Sequence, residues 1–266
     1  IQPDPSDAFQ QVLKNAGVRD YDWYPMIRGR LVAINGQPVA PDSYTDDRAQ
    51  RLVEREFNLS TAAEHERVYR TLRAQVLHGE LAPGQALTLR GIGKTFGVSM
   101  TPAREAVRRL VAEGALTLSS SGRVATPELS SDRIEELASI RALLEPELAS
   151  RALPRAHFAL IDRLAAINAL NQEAVMNQDA VGYVRTNLEF HRTLYLRAQT
   201  PAMLAMCETV WLQLGPTMRA LYQKLRRREV PHHHRMILAA LRAGDDPALR
   251  LAVRTDVTQG LRHLAS

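Results

Sequence analysis

The 266-residue chain has a single cysteine, Cys207, so no internal disulfide can form and a reducing compartment suits it. Cys207 stands among apolar residues and reads as buried packing. No apolar run approaches the ~18 residues that a membrane span requires, and no signal peptide is legible from Ile1. The expected location is the cytoplasm, with no membrane partner. Internal repeats and low-complexity tracts are absent. Aromatic residues make up 5% of the chain, and Phe9, Tyr21, Trp23, Tyr24, Tyr44 and Phe57 all fall in its first sixty positions.

What is present is concentrated in residues 81–114, LAPGQALTLRGIGKTFGVSMTPAREAVRRLVAEG. Leu89–Phe96 predicts a short helix, Gly97-Val98-Ser99 a tight turn, and Thr101 an N-cap followed by Pro102 at the first position of a second helix. Gly91 and Gly93 each weaken the first helix by about 1 kcal/mol relative to alanine, so packing must hold it. In the second helix Ala103, Val107, Leu110 and Val111 recur as a buried stripe, and Gly114 ends it. Met100, Arg104 and Arg108 are spaced by four and share another face. Beyond Gly114, ALTLSSSGRVATP alternates as a β-hairpin turning at Ser121-Gly122, with Arg123 near its tip.

This is how a helix-turn-helix with a wing presents side chains to the DNA major groove. Between Thr88 and Pro127 six cations (Arg90, Lys94, Arg104, Arg108, Arg109 and Arg123) face two anions, Glu105 and Glu113, a surplus of four in a chain whose net charge is +5. Such charge gives affinity through phosphates, whereas base contacts give specificity. Charge alone fits a solvated basic face equally well; the turn, proline, arginine row and wing together favour DNA.

These residues resemble the winged helix-turn-helix of GntR-type bacterial transcription regulators over Val68–Pro127. The family's PG stands at Pro83-Gly84 and its GVSRTP.REAL..L..EGL pattern appears as GVSMTPAREAVRRLVAEGAL. The resemblance places the family's three DNA-reaching arginines on Arg90, Met100 and Arg104. Met100 departs from the pattern: it can touch a thymine methyl but cannot fork onto guanine, and Arg108 on the same face is a compensating cation. The residues assigned to DNA contact are Arg90, Ser99, Met100, Thr101, Arg104, Arg108 and Arg123.

From about Ser130 the pattern is almost purely helical. Asp132 is expected to cap a helix reaching Leu153, with Ile134, Leu137, Ile140 or Arg141, Leu144 and Leu148 on one stripe and Pro154 ending it. Further helices fit Ala156–Asn177, Asp179–Gln199, Pro201–Arg228, Pro231–Ala243 and Pro247–Leu264, which together make a bundle. Asn187 and His191 share one helix face, and His234 and Asp256 sit on the last two helices. Imidazole and carboxylate together suit Zn, Ni, Mn or a similar divalent ion. Spacing alone fits ordinary hydrogen-bonded histidines as well. In His232-His233-His234 at most one ring should point inward, because adjacent residues on a helix do not share a face.

Residues Asp132–Leu264 resemble the FCD effector domain of one GntR subfamily. The family's Asp/Asn-x3-His falls on NLEFH, Asn187–His191; its HR.IL.A...GD motif falls on HRMILAALRAGDDPA, opening at His234; its last histidine falls on Asp256. The resemblance implies a divalent metal held by Asn187, His191, His234 and Asp256, the aspartate favouring harder metals, or a metal-free pocket. It also implies a small carboxylate effector clamped by Arg141, whose ordinary alternative is an i,i+4 pair with Glu145. A homodimer placing two recognition helices on a double-stranded operator, with a repressor released by effector, completes that expectation. The fold class expected is mostly α: residues 61–128 as the winged domain and 131–266 as the all-α effector-binding bundle.

Two rival classes are a helical-bundle metalloenzyme using the same four residues and a transporter-associated protein. The first has no use for the arginine row and no separate general base nearby; the second needs membrane spans. Residues 1–60 prompt the latter. Arg30–Ala40 reads as two strands around Asn35-Gly36, and YPMIRGRLVAINGQPV (24–39) with RLVEREFNLS (51–60) resembles the extracytoplasmic part of FtsX-type ABC-transporter permeases. A chimeric extension is expected, loosely ordered because sixty residues torn from a larger domain bury little, joined near Ser60–Glu64 where Thr61 and Glu64 can form a capping box.

Overall fold

The computed structural model describes residues 33–34, 37–38, 64–119, 122–225 and 233–265. Residues 64–266 form one unit and residues 1–63 another. In the first sixty-three positions, β1 (Ala33–Ile34) and β2 (Gln37–Pro38) pair antiparallel with Ile34 opposite Gln37; the Asn35-Gly36 turn lies outside the described residues. The permease-like reading, the Thr61 capping box, Ser121 and His232 otherwise lie outside the described residues.

The larger unit opens with a helix over residues 64–77 (α1), then β3 (Ala86–Leu87), α2 (Leu89–Phe96) and α3 (Met100–Ala112). The Thr88 hydroxyl caps α2 by accepting from Gly91 N–H at 2.9 Å, and Gly97 closes it at φ 65°. The second helix starts two residues before the expected point. Its N-cap is Ser99, so Thr101 is a first-turn residue, and Pro102 is tolerated because the first four N–H groups of a helix have no intrahelical partner. At its other end Gly114, φ 70°, donates to the Val111 carbonyl while Ala115 donates to that of Leu110, a Schellman closure.

The expected hairpin is the outer part of a three-stranded sheet. β4 (Thr117–Leu118) and β5 (Val124–Ala125) pair as read, but β5 also pairs with β3, giving the order β3-β5-β4. Two-residue strands carry too little alternation for sequence to reveal β3. Val68, Leu72, Ala103, Val107, Leu110 and Val124 form the core of this domain, each at most 3% exposed.

Gly93 has a specific role at the turn. A Cβ there would lie 2.9 Å from the Val98 carbonyl oxygen, a backbone atom that cannot swing away. Gly93→Ala is therefore expected to destabilise the winged domain by about 1–3 kcal/mol through overpacking, although helix propensity alone favours alanine. A lowered urea midpoint in equilibrium unfolding is the expected reading; an unchanged or raised midpoint refutes the close approach.

The bundle comprises α4 (Ser131–Ala152), α5 (Phe158–Met176), α6 (Ala180–Tyr195), α7 (Pro201–Leu225), α8 (His233–Ala243) and α9 (Asp246–Ala265), with 3-10 turns over Leu153–Arg155 and Leu196–Ala198. Ser130, not Asp132, caps α4, accepting from Arg133 N–H; a serine one residue outside the helix reaches that group, and Asp132 sits inside the first turn, where its charge still suits the helix dipole. Leu148, Leu164, Phe190, Leu194, Ile237 and Val253 build the main bundle core. Cys207 is 1% exposed and burial pushes its thiol pKa up, so it is packing. Among the described residues no helix is long and apolar enough to cross a membrane.

α7 belongs to both halves. Its Leu212 is a fully buried member of the winged-domain core, and a side chain at Gly215 would overlap the Val76 carbonyl oxygen at the end of α1. Arg219 donates to the Gly79 and Glu80 carbonyls just past α1, and Gln213 donates to that of Glu113 at the end of α3.

Candidate DNA-binding face and metal-ligand cluster

The inner stripe of α3 is sealed by Pro102, Ala103, Ala106, Val107 and Leu110. Its outer face carries Met100, Thr101, Arg104, Glu105 and Arg108, all exposed, with Ser99 exposed at its start. Met100 is 43% exposed. The Ser99 hydroxyl makes no cap bond to the helix. Arg90 and Lys94 on α2 and Arg123 on the wing are exposed as well.

The cations divide by partner. Arg109 is tied down: it donates to Glu66 at 2.9 Å, approaches Glu113 at 3.7 Å and stacks 3.6 Å over the Tyr69 ring. Arg108 has only an exposed i,i+3 contact to Glu105 at 3.3 Å, which is weak in water. Among the described residues, Arg90, Lys94, Arg104 and Arg123 have no ion-pair partner. Charge counting in the sequence missed this division, because it depends on α1 lying beside α3.

In the bundle, α6 presents Asn187 and His191 inward, α8 His234 and α9 Asp256. The donor atoms of His191, His234 and Asp256 lie within 4.8 Å of one another, and His191 Nε2 is 2.9 Å from Asp256 Oδ2. Asn187 joins His234 and Asp256 in lining a cavity of about 250 Å³. His234 is buried, His233 is half-buried and bonds Gln259 instead, which agrees with one inward ring.

A chain of hydrogen bonds assigns the tautomers. Buried Glu145 can only accept; it takes Arg141 Nε at 2.5 Å, Trp211 Nε1 at 2.9 Å and the Tyr195 hydroxyl at 2.9 Å. The Tyr195 proton being spent on Glu145, its oxygen accepts from His191 Nδ1–H at 3.0 Å. His191 Nε2 is then a bare lone pair. Likewise His234 Nδ1 donates to Asn168 Oδ1 at 3.1 Å, which leaves its Nε2 bare. Both Nε2 atoms are buried without a properly aligned hydrogen-bond partner. A lone pair 2.9 Å from a carboxylate oxygen is repulsive unless a proton or a metal ion stands between them. Burial lowers the His234 pKa to about 4, so this ring is neutral near pH 7. Two imidazoles with Nδ1 held from behind and one carboxylate are donors of the kinds a divalent metal takes.

Arg141 makes the i,i+4 pair with Glu145. Burial opposes charge on Glu145, but Arg141 and the surrounding donors hold its carboxyl below the usual range. Arg141 lines a void of about 10 Å³ beside Asn187 and Trp211 and is absent from the lining of the 250 Å³ cavity. Tyr183 and Tyr195, four residues before Asn187 and four after His191 on α6, were within reach of helical periodicity; Asn168 and Trp211 come from other helices and carried no sequence signal.

Residues 64–124 match the family described as bacterial regulatory proteins, gntR family, and residues 136–259 match the FCD domain. The chain is 29% identical over 182 residues to the HTH-type transcriptional regulator McbR of Escherichia coli K12, covering 67% of this chain and 82% of that protein. It is 28% identical to the gluconate operon transcriptional repressor of Bacillus subtilis over 61% of this chain and 65% of that one. The solved structure of E. coli McbR/YncC superposes with a TM-score of 0.67 at 26% identity, covering 76% of this chain and 96% of that one. The matched segments begin at residue 64 and give no support to the permease-like reading of the first sixty residues. The chain carries the winged helix-turn-helix of the GntR family in residues 64–124 and an FCD domain in residues 136–259, and is a DNA-binding transcription regulator, not an enzyme.

Proposed function

We propose that the protein is a cytoplasmic, homodimeric repressor whose operator binding is relieved by a small organic acid bound in the bundle together with a divalent metal. The observation that carries the DNA half is the outward face of α3, where Arg104 has no ion-pair partner among the described residues and Arg108 is left to meet phosphates. In this reading Arg104 and Met100 enter the major groove, Ser99, Thr101, Arg90 and Arg108 fix the approach, and Arg123 follows the wing into the minor groove. The repressor sign is supported by the Bacillus gluconate operon protein, which is a repressor.

His191, His234 and Asp256 would hold the metal, with Asn187 adjacent. When bound, the ion supplies positive charge to a carboxylate and a fixed point from which to orient it. The chain's own contribution is the hydrogen-bond relay that holds each Nδ1 from behind and turns both Nε2 atoms toward the site. The relay also supplies a route outward: Trp211 bonds Glu145 from α7, and the next residue, Leu212, is buried in the winged-domain core. Filling the pocket favours one pose of α7, and α7 carries the winged domain with it.

Gel shift of the full chain on genomic fragments, with and without candidate carboxylic acids, tests this reading; no retarded fragment under any condition rejects it. His191→Ala combined with His234→Ala is expected to remove bound divalent metal while leaving operator binding in place. Elemental analysis of both proteins after equal loading decides it, and wild-type metal content in the double variant ends the metal assignment.

A further inference from the structure

Arg141 is paired with Glu145 and does not line the 250 Å³ cavity. Another cation does. Arg235 follows the proposed ligand His234 on α8, is exposed at the cavity wall, and is the one permanently charged cation among the lining residues. Among the described residues it has no acidic partner.

The rest of the wall carries four carboxamides, Asn168, Asn171, Gln172 and Asn187, beside the Tyr183 ring and the apolar side chains of Val175 and Met176. Their hydrogen-bonding capacity is partly committed in a telling way. Asn168 spends its oxygen on His234, which leaves its amide N–H groups to donate. Asn171 spends its nitrogen on the Tyr183 carbonyl at 3.0 Å and the Thr186 hydroxyl at 2.8 Å, which leaves its oxygen to accept. One helix face of α5 therefore offers a donor and an acceptor three residues apart. A hydroxyl group, being both acceptor and donor, satisfies such a pair; a methylene satisfies neither and leaves buried polar groups unmatched. The volume is smaller than a drug-sized pocket, which restricts the occupant to a short metabolite.

We infer that the cavity takes a small hydroxylated carboxylic acid, its anionic end anchored by Arg235 and its hydroxyls read by Asn168 and Asn171. This deepens the effector reading proposed above and rests on it. It reassigns the anchoring cation from α4 to α8, and it sets aliphatic and aromatic acids aside.

Matched probes test it on the full chain. Tartrate and succinate share a four-carbon dicarboxylate skeleton and differ in hydroxyls; a six-carbon sugar acid and hexanoate do the same with one carboxylate. Calorimetric titration into Mn2+-loaded protein is expected to show each hydroxylated acid binding at least about tenfold more tightly than its partner. Arg235→Ala is expected to weaken the hydroxylated acids by roughly 10–100-fold, the range of a lost charged hydrogen bond, with Mn2+ uptake as in wild type; Arg235→Lys should recover part of it. Equal binding within each pair, or no binding of either member, overturns the ligand class. Undiminished binding by Arg235→Ala overturns the anchor. Failure of the wild type to take up Mn2+ counts against the metal reading alone, since the same acid titrations on metal-free protein still report on Arg235.

Discussion

Arg104→Ala abolishes specific operator binding and leaves the fold intact: that is the expected result with the largest functional effect. Arg104 is exposed near the start of α3 and has no ion-pair partner among the described residues, so its removal breaks no internal contact. A bidentate arginine–guanine contact contributes about 1–3 kcal/mol of discrimination, roughly 10–100-fold, and a two-fold dimer loses it at both half-sites. Fluorescence anisotropy at one fixed salt concentration is the appropriate measurement, because phosphate contacts change with ionic strength. Arg109→Ala is the control. That guanidinium lies over Tyr69 and pairs with Glu66, so its loss is expected to lower the unfolding midpoint and to change operator affinity far less. If Arg104→Ala retains wild-type affinity and sequence preference, α3 is not the reading helix.

The largest effect on stability is expected at Glu145, a residue that touches neither DNA nor the cavity. Its carboxylate is fully buried and is the shared acceptor for Arg141, Trp211 and Tyr195. Glu145→Ala strands a buried guanidinium and two buried donors, a change that costs about 3–5 kcal/mol when one partner of a buried pair is removed. Glu145→Gln keeps the shape and one acceptor oxygen, so it should unfold at a denaturant concentration between the two. The glutamine variant also separates stability from site chemistry. With an amide at position 145, Tyr195 is no longer obliged to donate toward it, and His191 loses its tautomer bias. Metal affinity should then fall about 10–100-fold, as for other residues that orient a ligand from behind. Wild-type metal affinity in a folded Glu145→Gln protein would show that the relay does not set the His191 tautomer.

Much of the winged domain was legible because its signals are local. The stripe Ala103, Val107, Leu110, the αL glycines at 97 and 114, and the GVS turn each act within a few residues. The errors were also local: Ser99 and Ser130 displaced Thr101 and Asp132 as caps, since neighbouring small polar residues compete for the same role and only backbone dihedrals separate them. β3 was missed because a two-residue strand owes its existence to its partner, not to its own pattern.

Sequence by itself determined that this is a helical protein with an arginine-faced helix-turn-helix and that at most one histidine of a triplet should turn inward, because helical periodicity and turn chemistry are written in spacings of one to four residues. Only the tertiary structure decided which cations are free. Arg109 is neutralised by Glu66, 43 positions away, and Arg141 is held in an acceptor shared with Trp211 and Tyr195. The same holds for the inward Nε2 atoms of His191 and His234, whose Nδ1 atoms are held by Tyr195 and Asn168. Charge and hydrogen bonding act through space at a few ångströms, so the chemistry of these side chains depends on which helices meet, and no spacing along the chain records that.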